Sequence, residues 1–215
     1  ADSRKGVDLA FNVPLRRNSY LKIRARALEA SSAAALSDLC SDLESRLDPT
    51  ATNARASFAP ALASKSIEDF IAKLDDGYAE ANTITVSDTG DGMSMDELKR
   101  YYLTIGTPSR KHEVDSSIAT GRATTPYLGE KGIGRLSAMR LGERLRVETA
   151  KSDDRTVNVL DINWKAFADL DAMIEDVKFE PRTGGSKPDG AWSGTRVTIG
   201  DLREDWTEAR LRQFA

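Results

Sequence analysis

Apolar positions recur at intervals of three and four through residues 20–47 (YLKIRARALEASSAAALSDLCSDLESRL), where Leu36, Leu39, Leu43 and Leu47 share one stripe. This spacing predicts an amphipathic helix, or two in succession broken near Ser31 and Ser32. ATNARASFA (51–59) reads as a strand, and SIEDFIAKL (66–74) returns to helical spacing with Ser66 as cap and Asp69 three residues on. In NTITVSDTGDGM (82–93), Ile84 and Val86 alternate with Thr83 and Thr85, so a strand runs into a glycine turn. SMDELKRYYL (94–103) sets Ser94 three residues before Glu97, the spacing of a capping box, and predicts a helix directly after that turn. A polar run follows at 104–124. RLSAMRLG (135–142) then reads as a helix ending at Gly142, and ERLRVETAK (143–151) with RTVNVLDINW (155–164) as a hairpin. VKFEP (177–181) reads as a strand, TGGSKPDG (183–190) as a turn, GTRVTIGDL (194–202) as a last strand, and WTEARLRQFA (206–215) as the start of a helix. Helices first, then mostly antiparallel strands, predict an α+β fold of two layers.

Composition narrows the class without naming it. A chain of 215 residues, 40% hydrophobic and 30% charged, suffices for one domain with its own core. No apolar run approaches the ~20 residues that span a bilayer, so no membrane association is expected. A formal net charge of −3 gives no global attraction to nucleic acid. The single cysteine, Cys40, excludes an internal disulfide, and with no secretory leader in the sequence the expected compartment is the cytoplasm. Cys40 reads as a small buried hydrophobe and His112 as a surface group in a charged stretch.

Candidate chemistry lies in two glycine-rich loops about forty residues apart, DTGDGM (88–93) and GEKGIG (129–134). Each leads into a predicted helix, where backbone N–H groups and the positive end of the helix dipole favour phosphate. Neither is a Walker loop, because Gly134 is followed by Arg135 and Leu136 rather than Lys and Ser or Thr. Neither has the spacing of a dinucleotide fingerprint.

These motifs resemble those of the GHKL superfamily, which includes gyrase B, MutL, the ninety-kilodalton heat-shock chaperones, MORC proteins and histidine kinases. Asp88-Thr89-Gly90-Asp91-Gly92 is similar to its D-x-G-x-G motif, and Gly129 to Gly134 to its G-x-x-G-x-G motif. YYLTIGTPSRK (101–111) resembles the lead-in to the ATP lid in a bacterial, MORC-like branch, and GTRVTI (194–199) the late strand with a Gly-Thr pair. The resemblance implies a Bergerat-type sandwich, a mixed, mostly antiparallel sheet covered by helices on one face. It also implies one domain over 1–215, with its core at about 20–202, a lid at 104–128 and the start of a following segment at 203–215.

Carried over by residue, the resemblance assigns Asp88 to the adenine 6-amino group, which it would accept from, and Thr195 to the same edge through a water. Gly90 and Gly92 would shape the turn and admit the ring, and Met93 would line the base pocket. Gly129, Lys131, Gly132, Ile133, Gly134 and Arg135 would cradle the phosphates, with Thr107 and Ser109 as lid contacts. The family's first motif, E-x-x-x-N, supplies a water-polarising glutamate and a Mg²⁺-binding asparagine. This chain has no such pair. One register puts Ser41 and Ser45 at the two positions, ahead of Asp48; the other puts Asp38 at the base and Asp42 at the metal position. Both registers stay open, giving Asp38 and Asp42 as catalytic candidates and Asp42 and Ser45 as metal candidates.

The resemblance therefore implies binding of ATP or ADP with Mg²⁺, and ATP hydrolysis. Lid closure would be coupled to self-association or to a downstream domain, and nucleic acid would be met only through a longer protein. The broken first motif supports an alternative, a nucleotide-gated interaction module that binds ATP with little turnover.

Overall fold

A computed structural model describes residues 6–102, 138, 140–167, 179–187 and 189–206. In chain order these form β1 (Val7–Asn12), α1 (Arg17–Glu29), α2 (Ala33–Arg46), α3 (Ala54–Leu62), α4 (Ile67–Ala81), β2 (Thr83–Asp88), α5 (Met95–Glu97) running into a π turn (Leu98–Tyr102), β3 (Gly142–Ala150), β4 (Thr156–Asn163), a 3₁₀ turn (Trp164–Phe167), β5 (Arg182–Ser186) and β6 (Gly194–Leu202). The strands make one open antiparallel sheet in the order β1-β2-β6-β3-β4-β5, so the expected α+β class holds. Among the described residues no helix is long and apolar enough to cross a membrane.

The described residues divide into two compact units, with β1, β2, β3 and β6 contributing to both. One holds α1 to α4. Its core is Leu15, Ile23, Ala27, Leu39, Leu43, Phe58, Ala61, Phe70, Leu74 and Ala81, with Leu36 and Leu47 packed against it. Full burial of each large side chain among these contributes ~1.5–3 kcal/mol. The predicted stripe of leucines is thus the buried face of α2. The predicted break near Ser31 is where α1 ends, and Ser32 caps α2 by accepting from Ala35 N at 3.2 Å. Ser66 caps α4 in the same way, accepting from Asp69 N at 3.1 Å.

The strand expected at 51–59 is corrected: Ala54–Leu62 is helix α3. Its buried residues, Ala54, Phe58 and Ala61, recur at four and three, which is helical spacing, and its alanines are the strongest helix formers. The alternation of small and larger residues there mimicked a strand. Gly77 of α4 lies where a Cβ would sit 3.0 Å from the Phe58 ring, so α3 and α4 approach closely.

The other unit holds α5, β4 and β5 with the adjoining ends of β2, β3 and β6. The hairpin β3–β4 is as predicted. The turn predicted at 183–190 is corrected in its first half, because Arg182–Ser186 is strand β5, paired antiparallel with β4 across a bulge between Thr156 and Asn158. One of its glycines serves packing: a Cβ on Gly184 would lie 2.5 Å from Val159 Cγ2, whereas one on Gly185 would meet nothing within 4 Å. Residues 179–181 are irregular, so the described end of VKFEP is no strand. Gly142 is likewise the first residue of β3 rather than a helix end, and a Cβ there would meet Gly200 O at 2.3 Å.

Candidate functional site

The D-x-G-x-G loop is built from the end of β2 outward. Asp88 Oδ1 accepts from Gly90 N at 2.8 Å, an Asx turn that reverses the chain, and from Thr195 N at 3.3 Å. A Cβ on Gly90 would fall 2.8 Å from that same oxygen, so the glycine makes room for the carboxylate. Gly92 has φ +67°, and a Cβ there would lie 1.9 Å from Ala150 O. Gly194 mirrors it on β6, with φ +140° and a Cβ position 2.1 Å from Asp88 O. Two glycines at positive φ thus let three backbone segments meet around Asp88.

Side chains far away in sequence fix the loop. Thr149, fully buried on β3, accepts from Met93 N at 2.9 Å, donates to Gly194 O at 2.9 Å, and lies 3.1 Å from Thr195 Oγ1. Asn158 on β4 donates from Nδ2 to Met93 O at 3.0 Å, and Ser193 donates from Oγ to Gly90 O at 2.9 Å. The predicted capping box is present: Ser94 Oγ accepts from Glu97 N and Glu97 Oε2 accepts from Ser94 N. Lys151, at the start of the β3–β4 turn, lies 2.8 Å from Glu97 Oε2. This ion pair, with the Ser94 amide, holds the Glu97 carboxyl below its ordinary range, and Glu97 in turn raises Lys151.

Asp88, Gly90, Gly92, Met93 and Thr195 are therefore brought together. Thr149, Asn158 and Ser193 were not anticipated from the sequence. A signal for Thr149 did exist: alternation in RLRVETA places it on one face with Leu145 and Val147, both buried, and a buried hydroxyl needs partners. Asn158 sits at the β-bulge, where alternation fails. Thr107, Ser109, Gly129, Lys131, Gly132, Ile133, Gly134 and Arg135 lie outside the described residues, as does all of the lid lead-in beyond Tyr102.

The first-motif candidates lie on α2, one helical turn apart. Asp42 Oδ2 accepts from Arg26 Nη1 and Asp42 Oδ1 from Arg46 Nε, each at 2.5 Å. Ser45 Oγ donates to Asp42 O at 2.8 Å and Ser41 Oγ to Ser37 O at 3.0 Å, while Asp38 is exposed. Two guanidinium groups already stand where a cation bound by Asp42 would need to be, and Ser45 has turned to its own helix. As placed, this donor set does not fit a Mg²⁺ site. Among the described residues no group of three or more His, Cys, Asp and Glu is arranged to hold a metal.

A family model for histidine kinase-, DNA gyrase B- and HSP90-like ATPases matches residues 65–182, more than half of the chain. The chain belongs to this ATPase family. Relatives of the ATPase domain include the mitochondrial heat shock protein 75 kDa of Bos taurus, 28% identical over 137 residues, 62% of this chain and 18% of the relative. The chaperone protein HtpG of Treponema denticola is 31% identical over 125 residues, 58% of this chain and 19% of its own, and HtpG of Vibrio atlanticus 29% over 133. The matches thus span less than a fifth of the length of these chaperones. The GHKL resemblance of the two glycine motifs stands on this family membership. The matched residues begin beyond α2, so Asp38, Asp42 and Ser45 fall outside them.

Proposed function

We propose that the domain binds ATP, with the adenine 6-amino group donating to Asp88 and the ring entering over Gly92 between Met93 and Thr195. The observation that carries this reading is Asp88 itself. Its Oδ1 is anchored by two backbone amides, so the carboxylate is oriented, and among the described residues no cationic side chain pairs with it. Such an acceptor suits an exocyclic amine and opposes the 6-oxo group of guanine. Gly129 to Arg135 would hold the phosphates, and Thr107 and Ser109 would contact them from the lid at 104–128. Lid closure would drive self-association or engage a downstream segment, as the family kinship suggests, in a bacterial, cytoplasmic protein of the MORC-like branch.

For hydrolysis the exposed Asp38 is the candidate base, since Asp42 is held by Arg26 and Arg46. That clamp favours a second reading, a nucleotide-gated module with little turnover. Steady-state phosphate release separates the two: release abolished by Asp38→Ala supports hydrolysis, and tight binding without release supports the module.

Equilibrium titration with a fluorescent ATP analogue tests the base site. Asp88→Asn keeps one oxygen for the Gly90 and Thr195 amides, so the fold should persist while affinity falls on the order of 10- to 100-fold, as expected when a charge-assisted hydrogen bond is lost. Unchanged affinity in that variant, or none in the parent chain, overturns the reading.

A further inference from the structure

Lys187, one residue past β5, is 8% exposed and pairs with no carboxylate among the described residues. Two of the three donors of its ammonium go instead to main-chain carbonyls, Lys151 O at 3.1 Å and Ser152 O at 3.0 Å. An ammonium taken out of water is destabilising unless such dipoles replace its hydration. The backbone N–H of Lys187 donates to Arg155 O at 3.3 Å, so main chain and side chain together grip both ends of the β3–β4 turn, 151–155.

The grip falls on Lys151. Within the turn its N–H donates to Asp154 Oδ2 at 2.9 Å and its carbonyl accepts from Asp154 N at 3.2 Å, and Lys187 adds a second donor to that carbonyl. With the peptide groups on both sides of it held, Lys151 starts from a fixed root and reaches Glu97, Oε1 at 2.9 Å and Oε2 at 2.8 Å. Glu97 in turn accepts from Ser94 N at the exit of the D-x-G-x-G loop. Both side chains of this ion pair are more than a third exposed, and ordering two long side chains offsets much of what such a pair gains. The placement of its root therefore decides whether it forms. We propose that Lys187 is a positioning residue for the candidate nucleotide loop: its ammonium clasps the β3–β4 turn, and the turn delivers Lys151 to Glu97. The link to nucleotide rests on the reading that Asp88 and its loop bind the base.

The carboxyl carbon of Glu97, followed by NMR from pH 7 to pH 3, reads this relay. In the parent chain it should titrate below the ordinary glutamate range, with the Lys151 contact as the larger cause. Lys151→Met should raise the midpoint, and Lys187→Met should raise it too, although the hydrogen bonds of Lys187 go to the turn. The double variant should show no further rise. Binding of a fluorescent ATP analogue should weaken by roughly two- to fivefold in each single variant, the scale of one exposed ion pair. Should circular dichroism show Lys187→Met unfolded, Lys187→Gln, whose amide is neutral and reaches one bond less far, should move the midpoint in the same direction. A midpoint that the Lys187 variant leaves unmoved makes the residue a packing element and overturns the proposal. Rises that add in the double variant overturn it as well, since the two lysines would then act on Glu97 independently, and so does a raised midpoint with unchanged affinity. A parent chain that binds no nucleotide overturns the base-site reading, while the Glu97 titration still decides whether Lys187 places Lys151.

Discussion

Asp88 and Asp42 are both partly buried acids that the sequence resemblance made candidates for nucleotide chemistry, and they are held by opposite means. Asp88 meets backbone amides, Gly90 N from two residues on and Thr195 N from 107 residues on. Asp42 meets two guanidinium groups, from Arg26 on the preceding helix and Arg46 one turn along its own. Amides orient a carboxylate and leave its negative charge for a ligand. Arginines orient it and cancel that charge. The loop around Asp88 is further tied by Thr149, Asn158 and Ser193, whereas the hydroxyls beside Asp42 return to their own helix. The loop around Asp88 is thus over-determined by long-range contacts, whereas Asp42 is held by two arginines and its neighbouring hydroxyls by their own helix.

Gly92→Ala should break the first region most severely. At φ +67° a non-glycine residue costs about 1–2 kcal/mol from the left-handed conformation alone, and a Cβ 1.9 Å from Ala150 O cannot be relieved by rotating a side chain. A total above ~3 kcal/mol is expected, in the range reserved for backbone effects and overpacking. Urea unfolding should show the midpoint collapsing, and any folded fraction should not bind nucleotide. A near-parental midpoint would mean that the loop is far looser than its contacts imply.

Asp42→Ala probes the other side of the comparison, with a smaller effect. Arg26 and Arg46 have half-exposed side chains, and exposed ion pairs contribute ~0.2–1 kcal/mol each. The loss should lie near 1 kcal/mol and shrink in high salt, and any phosphate release should stay within about twofold of the parent, because a neutralised carboxylate contributes nothing to the transition state. Release that disappears with Asp42→Ala would restore the acid to the catalytic machinery and erase the contrast with Asp88.

Much of the candidate site was legible because its constraints are local in sequence. Asp88, Gly90 and Gly92 are spaced by the turn they form, and Ser94 and Glu97 by the capping box they close. Asn158 and Ser193 were not legible, since they reach Met93 and Gly90 from 65 and 103 residues away, and for Thr149, 56 residues from Met93, alternation showed the buried face but not the partner. In the helical unit the leucine stripe of α2 was readable from its period. Residues 54–62 misled because alanine is compatible with either period until Phe58 is placed against α4. At β5, Gly184, which passes for part of a turn, is in fact the room that Val157 and Val159 of β4 need.

The smallest effect concerns the junction where the D-x-G-x-G loop enters α5. Glu97 serves two masters there, accepting from Ser94 N at 2.8 Å and pairing with Lys151 at 2.8 Å, and both interactions favour its ionised form. Its folded-state pKa is therefore depressed, with the Lys151 contact as the larger cause. A carboxyl whose pKa is lower when folded contributes stability above its unfolded value, near 4.3, and loses that contribution as pH falls through the folded value. Glu97→Gln should accordingly lower the unfolding midpoint at pH 7 by less than either substitution above, and the gap between variant and parent should close as the pH drops below the ordinary carboxylate range. Thermal or urea midpoints measured from pH 7 to pH 3 would show it. A gap that stays constant across that interval would mean that Glu97 acts only through the Ser94 cap geometry, which glutamine preserves poorly, and that the charge on Lys151 has no part in holding the loop against the β3–β4 turn.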